Sequence, residues 1–135
     1  MQKIFSPPPF MKNGVDITDV ERIKNLHLKW GQSFLERVFD DEEIRYCMGK
    51  SSCYPHLAGR FASKEAIIKI LKTHISPPLK TISIHKAPNG EPMVCLKDEA
   101  AKMAEEAGIT HISISISHSG DYAVAFATAY FSKPE

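Results

Sequence analysis

The sequence predicts an α+β protein with a mainly antiparallel sheet and one long central helix. Three observations carry this. Ile112-Ser113-Ile114-Ser115-Ile116-Ser117 alternates strictly between apolar and hydroxyl side chains, the period of a half-buried strand. Two turn signals, Pro88-Asn89-Gly90-Glu91 and Ser119-Gly120-Asp121, each join consecutive strand-like stretches, so neighbours in sequence pair as hairpins. Residues 55–71 read as one unbroken helix, with Leu57, Phe61, Ile68 and Leu71 as an apolar stripe.

The elements follow in order. Gly14-Val15-Asp16-Ile17 is short and β-branched and reads as a strand. Thr18 and Glu21 have capping-box spacing, so a helix is expected from there, with Val20, Ile23 and Leu26 or His27 sharing one face. A second helix is expected over 32–39. A third is capped by Asp40 or Asp41 and runs through Ile44 and Cys47. In the long helix Ala58 and Ala62 form a stripe of small residues that continues into Glu65 and Lys69, and Pro77-Pro78 closes the region. Residues 81–85 and 92–96 form a hairpin around the proline-glycine turn. Residues 98–107 form a helix stopped by Gly108, and residues 122–130 form the last strand.

At 135 residues and 15.1 kDa the chain fits one domain, placed at 13–135. Residues 1–12, with Pro7-Pro8-Pro9, read as an extended arm that is mobile or lies on a neighbour. Lys and Arg number 17 against 16 Asp and Glu, for a net charge of +1. That balance disfavours nucleic acid or a membrane surface as the partner. No apolar run is long enough for a membrane span, and residues 1–12 lack the apolar core of a signal peptide. Cys47, Cys53 and Cys95 lack paired spacing and read as reduced thiols of a cytoplasmic protein.

Two carboxylates stand in unusual places. Asp16 interrupts an apolar strand, and Glu65 sits on the small-residue stripe. Either is explained by an ordinary lysine partner or by solvent. Meeting across a helix–sheet contact, the pair would suit Mg²⁺, a hard cation that takes oxygen ligands and shares its shell with phosphate. Lys69 lies one turn beyond Glu65. It is either a surface ion-pair partner, worth about 0.3–0.5 kcal/mol, or a cation for phosphate oxygens. His118, between hydroxyls at a strand end, is either satisfied locally or an anion and proton site.

Taken together the motifs resemble those of the holo-acyl-carrier-protein synthases, the small phosphopantetheinyl transferases. Gly14-Val15-Asp16-Ile17-Thr18 with Glu21-Arg22-Ile23 resembles their opening motif. Ala58-Gly59-Arg60-Phe61-Ala62-Ser63-Lys64-Glu65-Ala66 resembles their central helix. Asn89-Gly90-Glu91-Pro92 resembles their turn, and Ile114-Ser115-Ile116-Ser117-His118-Ser119 their final signature. The resemblance runs from about Asn13 to Tyr130.

The resemblance implies the phosphopantetheinyl transferase fold and a reaction. 4′-Phosphopantetheine moves from coenzyme A to a serine of an apo-acyl carrier protein, in fatty acid biosynthesis, and adenosine 3′,5′-bisphosphate is released. It implies Asp16 and Glu65 as Mg²⁺ ligands and Lys69 as a catalytic cation. Arg60, Ser117 and His118 are implied at the nucleotide, and Asn89, Gly90 and Pro92 in the turn near adenine. Arg22 is implied in docking the acidic carrier, with Lys24 and Lys29 nearby, and a homotrimer holds coenzyme A between subunits. The alternative is a catalytically silent carrier-binding subunit of the same fold. Three departures mark this chain: Glu91 replaces the lysine of the turn motif, residues 72–78 replace a glycine-containing loop after the long helix, and the proline-bearing arm before Asn13 is extra.

Overall fold

The computed structural model describes residues 1–71 and 74–132. Strand β1 spans Met11–Asp19 and is followed by helices α1 (Val20–Trp30), α2 (Gln32–Val38), α3 (Asp41–Met48) and the long α4 (Cys53–Leu71). A 3-10 turn at Leu79–Thr81 leads into β2 (Ile82–Lys86) and β3 (Pro92–Leu96). Helix α5 (Asp98–Ala107) and strands β4 (Ile109–Ser119) and β5 (Tyr122–Phe131) complete the chain. All pairing is antiparallel: one sheet has the order β1-β5-β4, and β2-β3 is a separate hairpin. The α+β class with a long central helix therefore holds. Among the described residues no helix is long and apolar enough to cross a membrane.

Several boundaries move for identifiable reasons. β1 pairs with β5 along its whole length, from Met11 opposite Tyr130 to Asp19 opposite Tyr122. The strand thus starts inside the expected arm and runs past Ile17. Helix α1 consequently begins one residue late. Its cap is Asp19, whose side chain accepts from the Glu21 N–H at 2.9 Å, and not Thr18. Thr18 is buried and donates instead to Asp16 Oδ2 at 2.9 Å. Asp40 does cap α3, through a full capping box with Glu43. α4 starts at Cys53, which places Pro55 in the first turn, where its missing N–H leaves no bond unmade.

The long helix is buried well beyond its apolar stripe. Thirteen of its nineteen residues are buried, Arg60, Ser63 and Lys64 among them. The expected stripe is divided between two cores. Leu57 and Phe61 pack with Ile23, Phe34, Leu35 and Phe39 of the first helices. Ile68 and Leu71 pack with Ile82, Ile84 and Ile114. α4 is the shared wall of both, and such a helix must be apolar or paired on every side.

The sheet meets this helix through small residues. Ala123, Ala125, Ala127 and Ala129 of β5 are fully buried, as are Ala58, Ala62 and Ala66 of α4. The approach is closest at Gly14, where a β-carbon would lie 2.0 Å from the Ala66 carbonyl oxygen. No side chain fits there without moving backbone. Gly14→Ala is therefore expected to cost about 3 kcal/mol, at the upper end for overpacking. Chemical denaturation would show a lower midpoint at an unchanged slope, and an unchanged midpoint would contradict the close approach.

Candidate active site

The helix–sheet contact positions the first group of side chains. Asp16 is half-buried on the inner face of β1, two residues beyond Gly14. Thr18 fixes its Oδ2, and Lys69 Nζ lies 3.4 Å from its Oδ1. The same ammonium donates to the Val15 carbonyl at 2.5 Å. Lys69 therefore pairs across the seam with Asp16. Glu65 is half-buried one turn earlier on the same side of α4. The strand carboxylate and the helix face bearing Glu65 and Lys69 are thus brought to one seam.

That donor set fits a hard divalent cation. It is carboxylate oxygen on two rigid elements, with one carboxylate oriented by a buried hydroxyl. Among the described residues no group of three or more His, Cys, Asp or Glu side chains could hold a metal ion. An ion on this seam would complete its shell from water and phosphate, as Mg²⁺ does.

The second group lines a cleft of about 720 Å³ between the first half of α4, the β2–β3 hairpin and the edge strand β4. Arg60, His118, Gly90 and Pro92 all line it, as the sequence expects. Asn89 and Ser117 do not. Asn89 shapes the turn, accepting from the Glu91 N–H at 3.0 Å, next to Gly90 at φ 89°. Ser117 is exposed and sits opposite Val124 on the outer face of the sheet. Glu91, of charge opposite to the lysine it replaces, also lines the cleft. The departure at Lys72 and Thr73 lies outside the described residues.

His118 Nε2 donates to the Pro55 carbonyl at 2.9 Å, which fixes the ring against α4. It fits because Gly59 is bare: a β-carbon there would come within 3.3 Å of that nitrogen. Arg60 is 8% exposed, and its Nε is buried with no hydrogen-bond partner among the described residues. A buried guanidinium N–H without an acceptor, facing a cleft, is an invitation to an anion. Sequence reasoning missed Tyr46, His56, Lys86 and His85, which share this lining. They come from elements distant in sequence, and nothing local marks them.

His56 shows the sign of the cleft. Burial lowers its pKa, and the charges of Arg60, Lys50, His118 and Lys86 push it the same way. The wall behind carries a buried ion pair that sequence reasoning also missed. Lys64 and Glu43 are 2.7 Å apart, and both side chains are fully buried. Lys64 Nζ also donates to the Leu79 carbonyl at 3.2 Å and to the Ile82 carbonyl. Glu43 accepts from the Asp40 and Ile84 N–H groups, each at 3.1 Å. Burial pulls the Lys64 pKa down, while Glu43 opposes it. Deep in the first core, burial pushes the Cys47 thiol up to about 11, which makes it an unreactive packing residue.

The surface of α1 holds the remaining candidates. Arg22 and Lys29 line one shallow groove with Asp19, Glu21, Asn25 and Leu26. Arg22 stacks over Phe61 at 5.5 Å. Lys24 is not part of the groove, because two residues along a helix is about 200° of rotation. Of the three expected docking residues, Arg22 and Lys29 share a groove with two carboxylates, and Lys24 lies off it.

This is a small α+β fold with a cationic cleft beside one helix and a carboxylate–lysine seam further along it. The chain belongs to the 4′-phosphopantetheinyl transferase superfamily, whose family model matches residues 13–127. It is 42% identical over 116 residues to a holo-[acyl-carrier-protein] synthase of Halothermothrix orenii, covering 84% of this chain and 91% of that one. The synthase of Caldicellulosiruptor saccharolyticus is 45% identical over 116 residues, covering 86% and 93%. Among solved structures, the synthase of Neisseria meningitidis superposes with a TM-score of 0.79 at 34% identity, covering 87% of this chain and 95% of that one. The Helicobacter pylori synthase, solved in complex with coenzyme A, gives 0.76 at 31%, covering 87% and 99%.

Two expected outcomes follow from the wall of the cleft. Lys64→Ala strands a buried carboxylate and should cost about 3–5 kcal/mol in chemical denaturation, whereas Lys64→Met paired with Glu43→Leu should recover much of it. The second concerns Asp40. Burial alone would raise its carboxyl pKa. Hydrogen bonds from Lys97, Ser83, the Glu43 N–H and His85 outweigh that and hold it well below the usual carboxylate range. A carboxyl depressed in the folded state stabilises above its unfolded pKa, about 4, and the contribution is lost as pH falls below it. The stability gap between wild type and Asp40→Asn should narrow as pH drops from about 5 to about 2. A constant gap would contradict the network.

Proposed function

We propose that this chain is a Mg²⁺-dependent holo-acyl-carrier-protein synthase, moving 4′-phosphopantetheine from coenzyme A to a serine of apo-acyl carrier protein and releasing adenosine 3′,5′-bisphosphate. The observation that carries it is the pair of sites along α4: the Asp16–Lys69 contact at the seam and the cationic cleft around Arg60. The relatives' names and the coenzyme A held by the Helicobacter pylori structure support the same reading.

The cleft takes the nucleotide. Arg60 and His118 face its phosphates, and a phosphate oxygen satisfies the unpaired Arg60 Nε. Gly90 and Pro92, held in place by the Asn89 turn, pack near adenine; Ser117 sits beyond, at the sheet face. Asp16 and Glu65 would hold Mg²⁺, which when bound neutralises the diphosphate and orients it. The carrier serine hydroxyl attacks the phosphorus next to pantetheine and gives its proton to water or a carboxylate; a P–O bond forms, and the bond to the bridging oxygen breaks. Charge gathers on the departing nucleotide phosphate, and Lys69 offsets it from a fixed position.

The carrier is acidic, and Arg22 and Lys29 offer it two cations, in a groove they share with Asp19 and Glu21. Lys24, on the other side of α1, contributes only to the long-range field. The outer face of the large sheet supports the homotrimer. Val15, Ile17, Tyr122, Phe126 and Tyr130 are each 42–63% exposed there, an apolar patch that asks for a partner. The cleft opens along the free edge of β4, so a neighbour on that face would wall it. A cytoplasmic place in fatty acid biosynthesis fits this substrate pair, and residues 13–135 act as the single catalytic domain.

The test is direct. Purified protein with Mg²⁺, coenzyme A and apo-acyl carrier protein should add one phosphopantetheine to the carrier by mass spectrometry, and chelator should prevent it. Coenzyme A binding without any transfer would favour the silent carrier-binding subunit. Asp16→Ala and Glu65→Ala should lower transfer roughly 10³-fold or more with the fold intact by circular dichroism. Full activity in either would sink the metal assignment. Arg22→Glu should raise the carrier KM about tenfold and leave coenzyme A binding unchanged.

A further inference from the structure

The arm before β1 and a groove beside α5 are both left open by a single chain. Residues 1–10 form no strand or helix, and Ile4 and Phe5 are each 81% exposed. The arm is anchored at its root, where the Phe131 N–H donates to the Phe10 carbonyl at 2.8 Å. Ser6-Pro7-Pro8-Pro9 is held extended, because proline fixes its own φ and bars the residue before it from the helical region. The apolar pair is therefore carried on a stiff spacer, and Ile4 can stand up to ~19 Å from Phe10 at ~3.1 Å per residue. Lys3 Nζ stacks 5.4 Å from the centre of the Phe5 ring, so a cation travels with the pair. With the terminal amine and no acidic residue among the first ten, the arm is both apolar and basic.

The groove has the complementary character. It lies between the 74–78 segment and the first half of α5, lined by Ile75, Pro77, Pro78 and Met103 with His74 and Glu99. Glu99 is its only carboxylate, and no lysine or arginine lines it. Among the described residues Glu99 forms no ion pair. The groove is close to the arm's root. Beside the Phe131–Phe10 bond, the Ser132 N–H donates to the carbonyl of Gly108, the stop of α5, at 2.8 Å. Met103 is ~7.5 Å back along that helix.

We propose that the arm is a strap between copies of this chain: Ile4 and Phe5 of one copy fill the groove beside α5 of the next, where Lys3 pairs with Glu99. Within one chain the pair stands in solvent and the groove stays open. The arm's root is at the outer face of the large sheet, since Met11 lies opposite Tyr130 of the exposed apolar patch. A copy seated on that patch is the first surface the arm meets. Cyclic symmetry keeps equivalent points of neighbouring copies at one height along the axis. Root and groove, close together in one copy, therefore lie at matching heights across the contact. Residues 1–12 fall outside the 13–127 matched to the superfamily, so the strap is an addition to that domain. The proposal takes from the functional reading only that copies meet through this face, and it needs none of the catalytic assignments.

The experiment is carbodiimide crosslinking of the full chain, which joins an amine directly to a carboxylate it touches. Peptide mass spectrometry of the monomer and dimer bands locates the bond, and sedimentation of the same protein gives its oligomeric state. A crosslink from Lys3 or the terminal amine to Glu99 is expected in the dimer band. Ile4→Ser combined with Phe5→Ser should lower its yield about tenfold. Both side chains are exposed in the single chain, so this variant keeps the fold. Exchanging the charges, Lys3→Glu with Glu99→Lys, should give a dimer crosslink between the same two positions. The crosslink confined to the monomer band places the arm in its own groove and overturns the proposal. An undiminished yield in the Ile4 and Phe5 variant overturns it as well. Oligomers without the crosslink overturn it and leave the copy–copy contact standing, whereas a monomer in sedimentation overturns both. The dimer crosslink in protein that shows no phosphopantetheine transfer supports the strap and sinks the catalytic reading alone.

Discussion

The distance between α4 and the large sheet governs the molecule. Alanines line both sides of the contact, at Gly14 even a methyl group is too much, and at Gly59 one would press on Ile116 and His118. The consequence is geometric. A strand this close delivers Asp16 to the lysine and glutamate face of the helix. An edge strand this close delivers His118 to the helix start beside Arg60. Larger residues would bury more apolar area and hold the core equally well. They would also push the strand carboxylate out of reach of the helix. The small residues therefore set where charges meet, and the isoleucine and leucine clusters on either side supply the hydrophobic burial.

The Lys64–Glu43 pair secures the rest of the cleft. A buried ion pair contributes little net stability compared with an apolar pair of the same shape. Its use here lies in its remaining hydrogen bonds. Lys64 reaches the Leu79 and Ile82 carbonyls, and Glu43 reaches the Asp40 and Ile84 N–H groups. Each bond is to backbone, so α3 and β2 are held in one register against α4. Those are the elements that carry Tyr46 and Lys86 into the cleft. An apolar pair would fill the same space without fixing the register.

The sequence made the elements legible where periodicity was strong. The β3 and α5 limits coincide with their composition and turn signals, as does the Gly108 stop, whose φ is 79°. Asp16 was legible because aspartate is out of place in an apolar strand. The cap of α1 was misread because Thr18 and Asp19 are both capping residues, and only the pairing with β5 decides that the strand outlasts Thr18. The burial of Lys64 and Arg60 was illegible for another reason. A lysine in a helix looks solvated until the neighbours that enclose it, here from α3 and β2, are known. Lys24 fails on angle: nearness in sequence is not nearness on a helix face.

The separation of the two sites along α4 is the last step. Affinity and chemistry can be assigned to different turns of one helix only if the helix is rigid. It is, because it is walled by two cores and clamped at its middle by Lys64. On the proposed function, contacts to a part of the donor that does not react would fix the part that does, so binding energy gained at Arg60 would orient a phosphorus about two turns away. This also accounts for the near-neutral charge of the whole chain. A net charge of +1 hides a cationic cleft around Arg60 and Lys86, a lysine at the seam, and Arg22 and Lys29 beside two carboxylates on α1. Dispersed over the surface, those charges would attract any polyanion. Confined to a cleft, they present positive charge in one place, and on the proposed function that place is where the donor's phosphates would lie.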